Sequence, residues 1–185
     1  MPTLRDMGKY NTSKDSYYGN TLYYKNPDAI EKVIRYISRT RWNEDRKKDL
    51  VCIGGAGIDI NAPVEIIIQQ LMDIQKFYNI NSRKGRRLVH LVYSFSDEDF
   101  YALNRNYALV NLVARYISAY FFNRGFQVFY GIHDDEQKHV HIHFAISSIN
   151  YINGKKYHAA GESFKEMIRI FDSIYHQICS KTNNY

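Results

Sequence analysis

Between Gly131 and Phe144 the chain reads Gly131-Ile132-His133-Asp134-Asp135-Glu136-Gln137-Lys138-His139-Val140-His141-Ile142-His143-Phe144, a stretch holding four of the 7 histidines. From His139 the histidines alternate with Val140, Ile142 and Phe144, the two-residue period of a strand with unlike faces. That alternation leaves the chain little freedom: one strand face goes to a core, and the other gathers imidazoles. Same-face neighbours lie about 7 Å apart along a strand, so two imidazoles can converge on one ion above the sheet. His133 supplies a third ligand if Asp134 to Lys138 form the turn between antiparallel strands. A merely solvated histidine face is the bland alternative. Histidine is an uncommon residue, however, and a nucleophile, metal or phosphate site is the expectation here.

At 185 residues the chain fits a single domain with a sizeable core. No apolar run approaches the length of a membrane span, and Met1 to Asp6 lack the apolar stretch of a signal peptide. Cys52 and Cys179 form no spaced motif, so free thiols in a reducing cytoplasm are expected. A net charge of +6 accompanies 17 tyrosines and 10 phenylalanines. Cations for phosphates and rings for bases together suit single-stranded nucleic acid. An aromatic core under an incidentally basic surface accounts for the composition equally well.

Residues 1–25 are polar and tyrosine-rich, and read as an arm or loop ahead of one domain spanning 26–185, with a short strand at Thr21 to Tyr24. Asn26-Pro27-Asp28 is a helix start, and the helix runs to about Thr40 over the stripe Ile30, Val33, Ile34 and Ile37. Tyr36 lies at the edge of that stripe, flanked by Arg35 and Arg39; a boundary tyrosine needs no function, but the histidine cluster needs a partner. Leu50 to Ile53 reads as a strand ended by a Gly54-Gly55-Ala56-Gly57 turn, whose spacing fits neither a P-loop nor a dinucleotide motif. Asn61-Ala62-Pro63 opens a helix to about Tyr78, buried through Ile66, Ile67, Leu71, Ile74 and Phe77. Arg83, Lys84, Arg86 and Arg87 form a basic lip at the mouth of the strand Leu88 to Phe95, where His90, Val92 and Ser94 share a face. His90 is either a satisfied core histidine or part of the site. Ser96 begins a capping box for one long helix to about Asn123. Strands from Phe126 to Ile132 and through the histidines to Ser148 follow, then an Asn153-Gly154 turn, a brief extra strand at Lys155 to His158, and a last amphipathic helix from Ser163. The sum is an α/β two-layer sandwich: a mainly antiparallel sheet flanked by helices, with the histidines on an exposed face.

These segments resemble a known family. Gly131 to His133, His141-Ile142-His143, Ser147, Asn150 and Asn153-Gly154-Lys155-Lys156 are similar to the third motif of plasmid mobilisation relaxases, the MobA-like branch of the HUH endonuclease superfamily. Val33-Ile34-Arg35-Tyr36-Ile37 resembles the helix that bears its nucleophilic tyrosine, and Arg87 to Phe95 its second motif. The resemblance runs from Asn26 to His158. It implies a divalent metal ion, Mn²⁺ or Mg²⁺, on His133, His141 and His143, with Tyr36 as nucleophile. His90 or Asp135 would accept a proton or orient a ligand. Arg35, Arg39, Arg83, Lys84, Arg86, Arg87, Lys155 and Lys156 would meet DNA. The implied activity is a strand-specific nick in single-stranded DNA at a transfer origin, through a rejoinable 5′-phosphotyrosyl link, alongside relaxosome accessory and coupling proteins. Two features depart from the pattern. Many relatives have asparagine where this chain has Ser147, and most continue into a large C-terminal region, which points to a minimal nuclease domain. Rival readings remain: a histidine-triad nucleotide hydrolase built on His139 to Ala145, a replication initiator or transposase with a nucleophile such as Tyr175, attack by Tyr23 or Tyr24, and a non-catalytic DNA-binding accessory protein.

Overall fold

The computed structural model describes residues 1–7, 23–40, 48–79, 85–135, 139–158 and 162–182. At its centre is the histidine strand, β5 (His139–Ser147), paired antiparallel with β4 (Val128–Asp135) on one side and β3 (Leu88–Ser94) on the other. β1 (Thr3–Asp6) lies beyond β3 and β2 (Leu50–Ala56) beyond β4, giving the order β1-β3-β5-β4-β2 with every pair antiparallel.

The alternation in β5 sorts the two faces as expected. Val140, Ile142, Phe144 and Ile146 are buried in the larger core, under α4 (Tyr107–Phe122) and α5 (Glu162–Thr182). A fully buried side chain of this size is worth about 1.5–3 kcal/mol, so the hydrophobes hold β5 in place without help from the histidines. On the opposite face Phe129 and Ala145 lie beneath α1 (Ala29–Ile37) and α2 (Val64–Phe77), through Ile30, Ile34, Ile67 and Leu71. The α/β sandwich of antiparallel sheet and flanking helices is thus as expected. The exposed histidine face is not, because the end of α1 lies over it and buries His133, His141 and His143.

Several elements differ from the sequence reading, each for a tertiary reason. Thr3–Asp6, expected in an arm or loop, is an edge strand, with Leu4 in the core and the Arg86 guanidinium on Asp6 at 2.8 Å. Tyr23–Lys25 is a 3₁₀ turn rather than part of a strand. The glycine run continues β2 to Ala56 instead of turning at Gly54, since a Cβ on Gly54 would sit 2.2 Å from the Tyr130 ring across the ladder. The helix after Ser96 is two helices, α3 (Asp97–Ala102) and α4. Asn104 and Arg105 adopt left-handed φ of 53° and 50°, and the Asn106 side chain caps α4 by accepting from the Ala108 amide at 2.8 Å. α2 is rotated from the expected face: Ile66 and Phe77 are exposed, while Gln75 is buried and donates to the Arg87 carbonyl. The extra strand at Lys155 to His158 reduces to one bridge between Ile149 and Lys156. No helix among the described residues is long and apolar enough to cross a membrane.

Candidate metal and nuclease site

The β4–β5 register sets His133 directly opposite His141, and Gly131 opposite His143. Gly131 is needed for close approach, because a Cβ there would lie 2.7 Å from Ile37 Cγ2 and 3.0 Å from the Ile37 carbonyl. Its absence lets the last turn of α1 rest on the sheet, where Ile37 O accepts from His133 Nε2 at 2.8 Å. One ligand atom from each of His133, His141 and His143 falls within 4.8 Å of the other two.

The hydrogen bonds around these rings assign their free lone pairs. A carbonyl only accepts, so His133 carries its proton on Nε2, and its buried Nδ1 has no hydrogen-bond partner. His141 donates from Nδ1 to the His139 carbonyl at 2.8 Å, which leaves Nε2 with the lone pair. His143 Nε2 is buried and without a hydrogen-bond partner, while its Nδ1 lies 3.0 Å from His90 Nε2. His90 Nδ1 is in turn 2.9 Å from the Tyr24 hydroxyl. With His143 Nε2 kept as a lone pair, the chain of donation runs His143 to His90 to Tyr24. Orphaned buried nitrogens are costly in a protein interior. Two that converge with a third imidazole fit a metal ion, and the bonds behind them are the supports that fix ligand tautomers.

Burial drives the His90 and His133 values down to about 3, with the charge of His133 adding to the effect on His90 and that of Arg39 to the effect on His133. Burial, with His90 next, holds His143 well below the usual histidine range. The rings are therefore neutral, the ligand form, well below the pH of about 6.5 at which an unperturbed histidine titrates. A stability consequence follows with a definite sign. Between pH 6.5 and 3 the unfolded chain binds protons that the folded, ion-free protein does not, so stability falls as pH is lowered through that window and is unaffected above it. Each of His90 and His133 contributes a slope approaching about 1.4 kcal/mol per pH unit below 6.5. Urea midpoints of chelator-treated protein should drop between pH 7 and pH 5, and more steeply than those of His90→Gln; parallel curves would count against a neutral buried His90.

Tyr36 projects from the last turn of α1 onto this cluster. Its ring centroid lies 5.2 Å from that of His143, 6.2 Å from His133 and 6.4 Å from His90, edge-on to each. Arg39, expected to meet DNA, is instead 4% exposed. Its Nε and Nη2 donate to the two Asp49 carboxylate oxygens at 2.8 and 2.7 Å, Nη1 reaches the Tyr36 carbonyl at 3.2 Å, and its guanidinium carbon is 4.8 Å from the Tyr36 ring centre. It also hydrogen-bonds the Tyr36 side chain, and so braces both the ring and the hydroxyl.

The other expected residues are placed less centrally. Arg35 is held by Glu31 and Glu65, and Arg86 by Asp6. Arg87 is half-buried and receives Gln75 and Ser148 on its carbonyl. Lys155 is exposed and Lys156 is half-buried against Gly85, while Arg83 and Lys84 lie outside the described residues. Arg86 and Arg87 lie beyond the end of β3 that is farther from His141: Leu88 pairs with Ser147, whereas Ser94 pairs with His141. Leu88 is four residues from the partner of His143 and six from that of His141, about 13 and 20 Å along the strand, which sets Arg86 and Arg87 apart from the histidines. Asp135 faces His139 across the ladder, outside the converging set, and lines a second cleft of about 480 Å³ with Asp97, Arg105 and Tyr107. Tyr175 is buried on the far face with its hydroxyl on the Asp99 carbonyl, and burial pushes its pKa up. Tyr24 is fully buried behind His90. The sequence carried no signal for the Asp49 partner of Arg39 or for Tyr24 as a support, since both contacts depend on the packed α1.

Tyr36, His141 and His143 open onto a cleft of about 620 Å³ that runs toward β1, where Thr3, Arg5 and Met7 line it. Residues 36–179 match the family described as the relaxase nuclease domain, MobA/VirD2-like. The chain belongs to that family. No individual curated protein matches it. A DNA relaxase or nuclease role accordingly attaches to this fold, and the matched span begins at Tyr36 and contains every histidine of the cluster.

Proposed function

We propose that this relaxase domain is a metal-dependent, strand-specific endonuclease that nicks single-stranded DNA at a transfer origin, stays on the 5′ end through Tyr36 and later rejoins the strand, in plasmid mobilisation. The observation that carries the proposal is the Tyr36 ring packed edge-on against His143 and His133, two of the three imidazoles whose ring nitrogens converge. His133, His141 and His143 would hold the ion, and an all-imidazole set favours transition ions over Mg²⁺, with Mn²⁺ the weakest-held of that series. Such an ion polarises the non-bridging oxygens of a phosphate and neutralises charge in the transition state.

The protein's own residues do the rest. α1 presents the Tyr36 hydroxyl to the phosphate, with the ring edge-on to His143 and the Arg39 guanidinium over it. As the phenolic oxygen bonds to phosphorus, the bond to the 3′-oxygen breaks; the phenolic proton is lost to water in the cleft and the leaving 3′-oxygen takes one up. One phosphodiester replaces another, so the step is reversible by the released 3′-hydroxyl. His90 keeps His143 in its ligand tautomer rather than accepting the phenolic proton, since both His90 nitrogens are already engaged.

Incubation with single-stranded DNA and Mn²⁺, followed by mass mapping of DNA-linked peptides, tests the reading. An adduct on Tyr36 is expected. An acid-labile phosphohistidine at His141 would move the protein to histidine-triad chemistry, and no adduct with no cleavage would leave only DNA binding.

A further inference from the structure

We propose that Arg5 is a phosphate-binding residue of the cleft, aimed at the single strand by the Asp6–Arg86 ion pair; this rests on the reading that the cleft takes DNA. In β1 the side chains alternate, with Leu4 and Asp6 buried and Thr3 and Arg5 exposed on the histidine face. The ladder aligns Arg5 with Val92, and Val92 with His143, so Arg5 and His143 stand in one row across the sheet. Two strand spacings separate their backbones by about 10 Å, and an extended arginine spans much of that toward a strand lying on the site.

What sets Arg5 apart is its lack of commitment. Arg35 is held by two glutamates, Arg39 by Asp49 and Arg86 by Asp6. Among the described residues the Arg5 side chain has no hydrogen-bond or ion-pair partner, yet it lines the cleft with Tyr36, His141 and His143. A guanidinium there can offer a forked pair of donors to a phosphodiester. Its direction is fixed one residue away. Asp6 is 2% exposed and accepts from Arg86 Nη1 at 2.8 and 3.0 Å, while the Met7 amide donates to the His90 carbonyl at 2.9 Å. A one-residue slip of β1 would turn Arg5 to the opposite face, and these contacts prevent it. Arg86, expected to touch DNA itself, thus sets the register of the residue that does.

The experiment measures binding of a labelled mixed-sequence single-stranded oligonucleotide by the full chain across a salt series, with Mn²⁺ held constant. For single strands log affinity against log salt falls by about 0.7 per phosphate contact, so Arg5→Gln should flatten the slope by about that amount. Affinity should weaken severalfold on all sequences alike, because a phosphate contact carries no base information. Arg5→Lys should restore most of the slope. Arg169→Gln, the same charge change on exposed α5, should leave it unmoved. At saturating DNA, Arg5→Gln should form the Tyr36 adduct at close to the parental rate, with the loss confined to KM. An unchanged slope for Arg5→Gln, or an equal change for Arg169→Gln, would overturn the assignment while leaving the nuclease reading intact. Failure of the parent itself to bind single strands would overturn both.

Discussion

Tyr36→Phe is expected to yield a protein that folds, takes up Mn²⁺ and retains single-stranded DNA, yet leaves it uncut. The substitution keeps the ring, edge-on to His143, His133 and His90 with Arg39 over it, and removes the hydroxyl's hydrogen bond with Arg39, whose guanidinium stays paired with Asp49. Thermal midpoint and Mn²⁺ affinity should therefore stay close to the parent. The missing oxygen is the nucleophile, and a nucleophile preorganised on a rigid helix is worth about 7–11 kcal/mol of the barrier. A fall in nicking of at least about 10⁵-fold follows, with disappearance of the covalent adduct in denaturing gels. Transfer of the adduct to Tyr24 is not expected. That side chain is completely buried, and its hydroxyl would have to leave His90 to reach a phosphate. Tyr175 is on the wrong face of the sheet. Residual nicking with an adduct on either residue would show that α1 does not carry the nucleophile.

Much of this candidate site was legible in the sequence because it lies within two successive strands and one helix. The alternation from His139 to Phe144 determined which side chains share a face, and the spacing of Ile30, Val33, Ile34 and Ile37 determined the buried face of α1, although that helix begins at Ala29 rather than at the expected Pro27. The distribution of arginines was not legible, since it depends on contacts between distant segments. Arg35 and Arg39 sit four residues apart and read alike as one helix to Thr40, yet α1 ends at Ile37, and Arg39, with a left-handed φ of 56°, is drawn inside by Asp49 while Glu31 and Glu65 hold Arg35 at the surface. β1 was hidden for a related reason. Four residues carry too short an alternation to recognise, and Thr3–Asp6 forms a strand only because β3 offers an open edge and Arg86 offers Asp6 a charge. The left-handed pair Asn104–Arg105 was similarly masked, as hydrophobic periodicity continues on both sides of it.

His143→Ala should produce the complementary failure, with the nucleophile intact and metal lost. His143 supplies one of three convergent nitrogens, and it is the ligand held through His90 by Tyr24. Removing it leaves two imidazoles for the ion and strands His90 Nε2 in the interior. Titration calorimetry should find one Mn²⁺ site in the parent and none measurable in His143→Ala or His133→Ala. His90→Phe breaks only the support and should weaken Mn²⁺ by about 10–100-fold, the range for groups that orient metal ligands. Burial already keeps His133 and His143 neutral, so protonation of these two ligands should not weaken Mn²⁺ binding as pH falls from 8 toward 6. Mn²⁺ at 100 times its dissociation constant should stabilise the parent by about 2.7 kcal/mol, an increment absent from the ligand variants. Full Mn²⁺ stabilisation in His133→Ala or His143→Ala would place the ion elsewhere. Taken with Tyr36→Phe the result separates two causes of inactivity: one variant binds the ion and cannot attack, the other has its tyrosine and lacks the ion against which the attack is made.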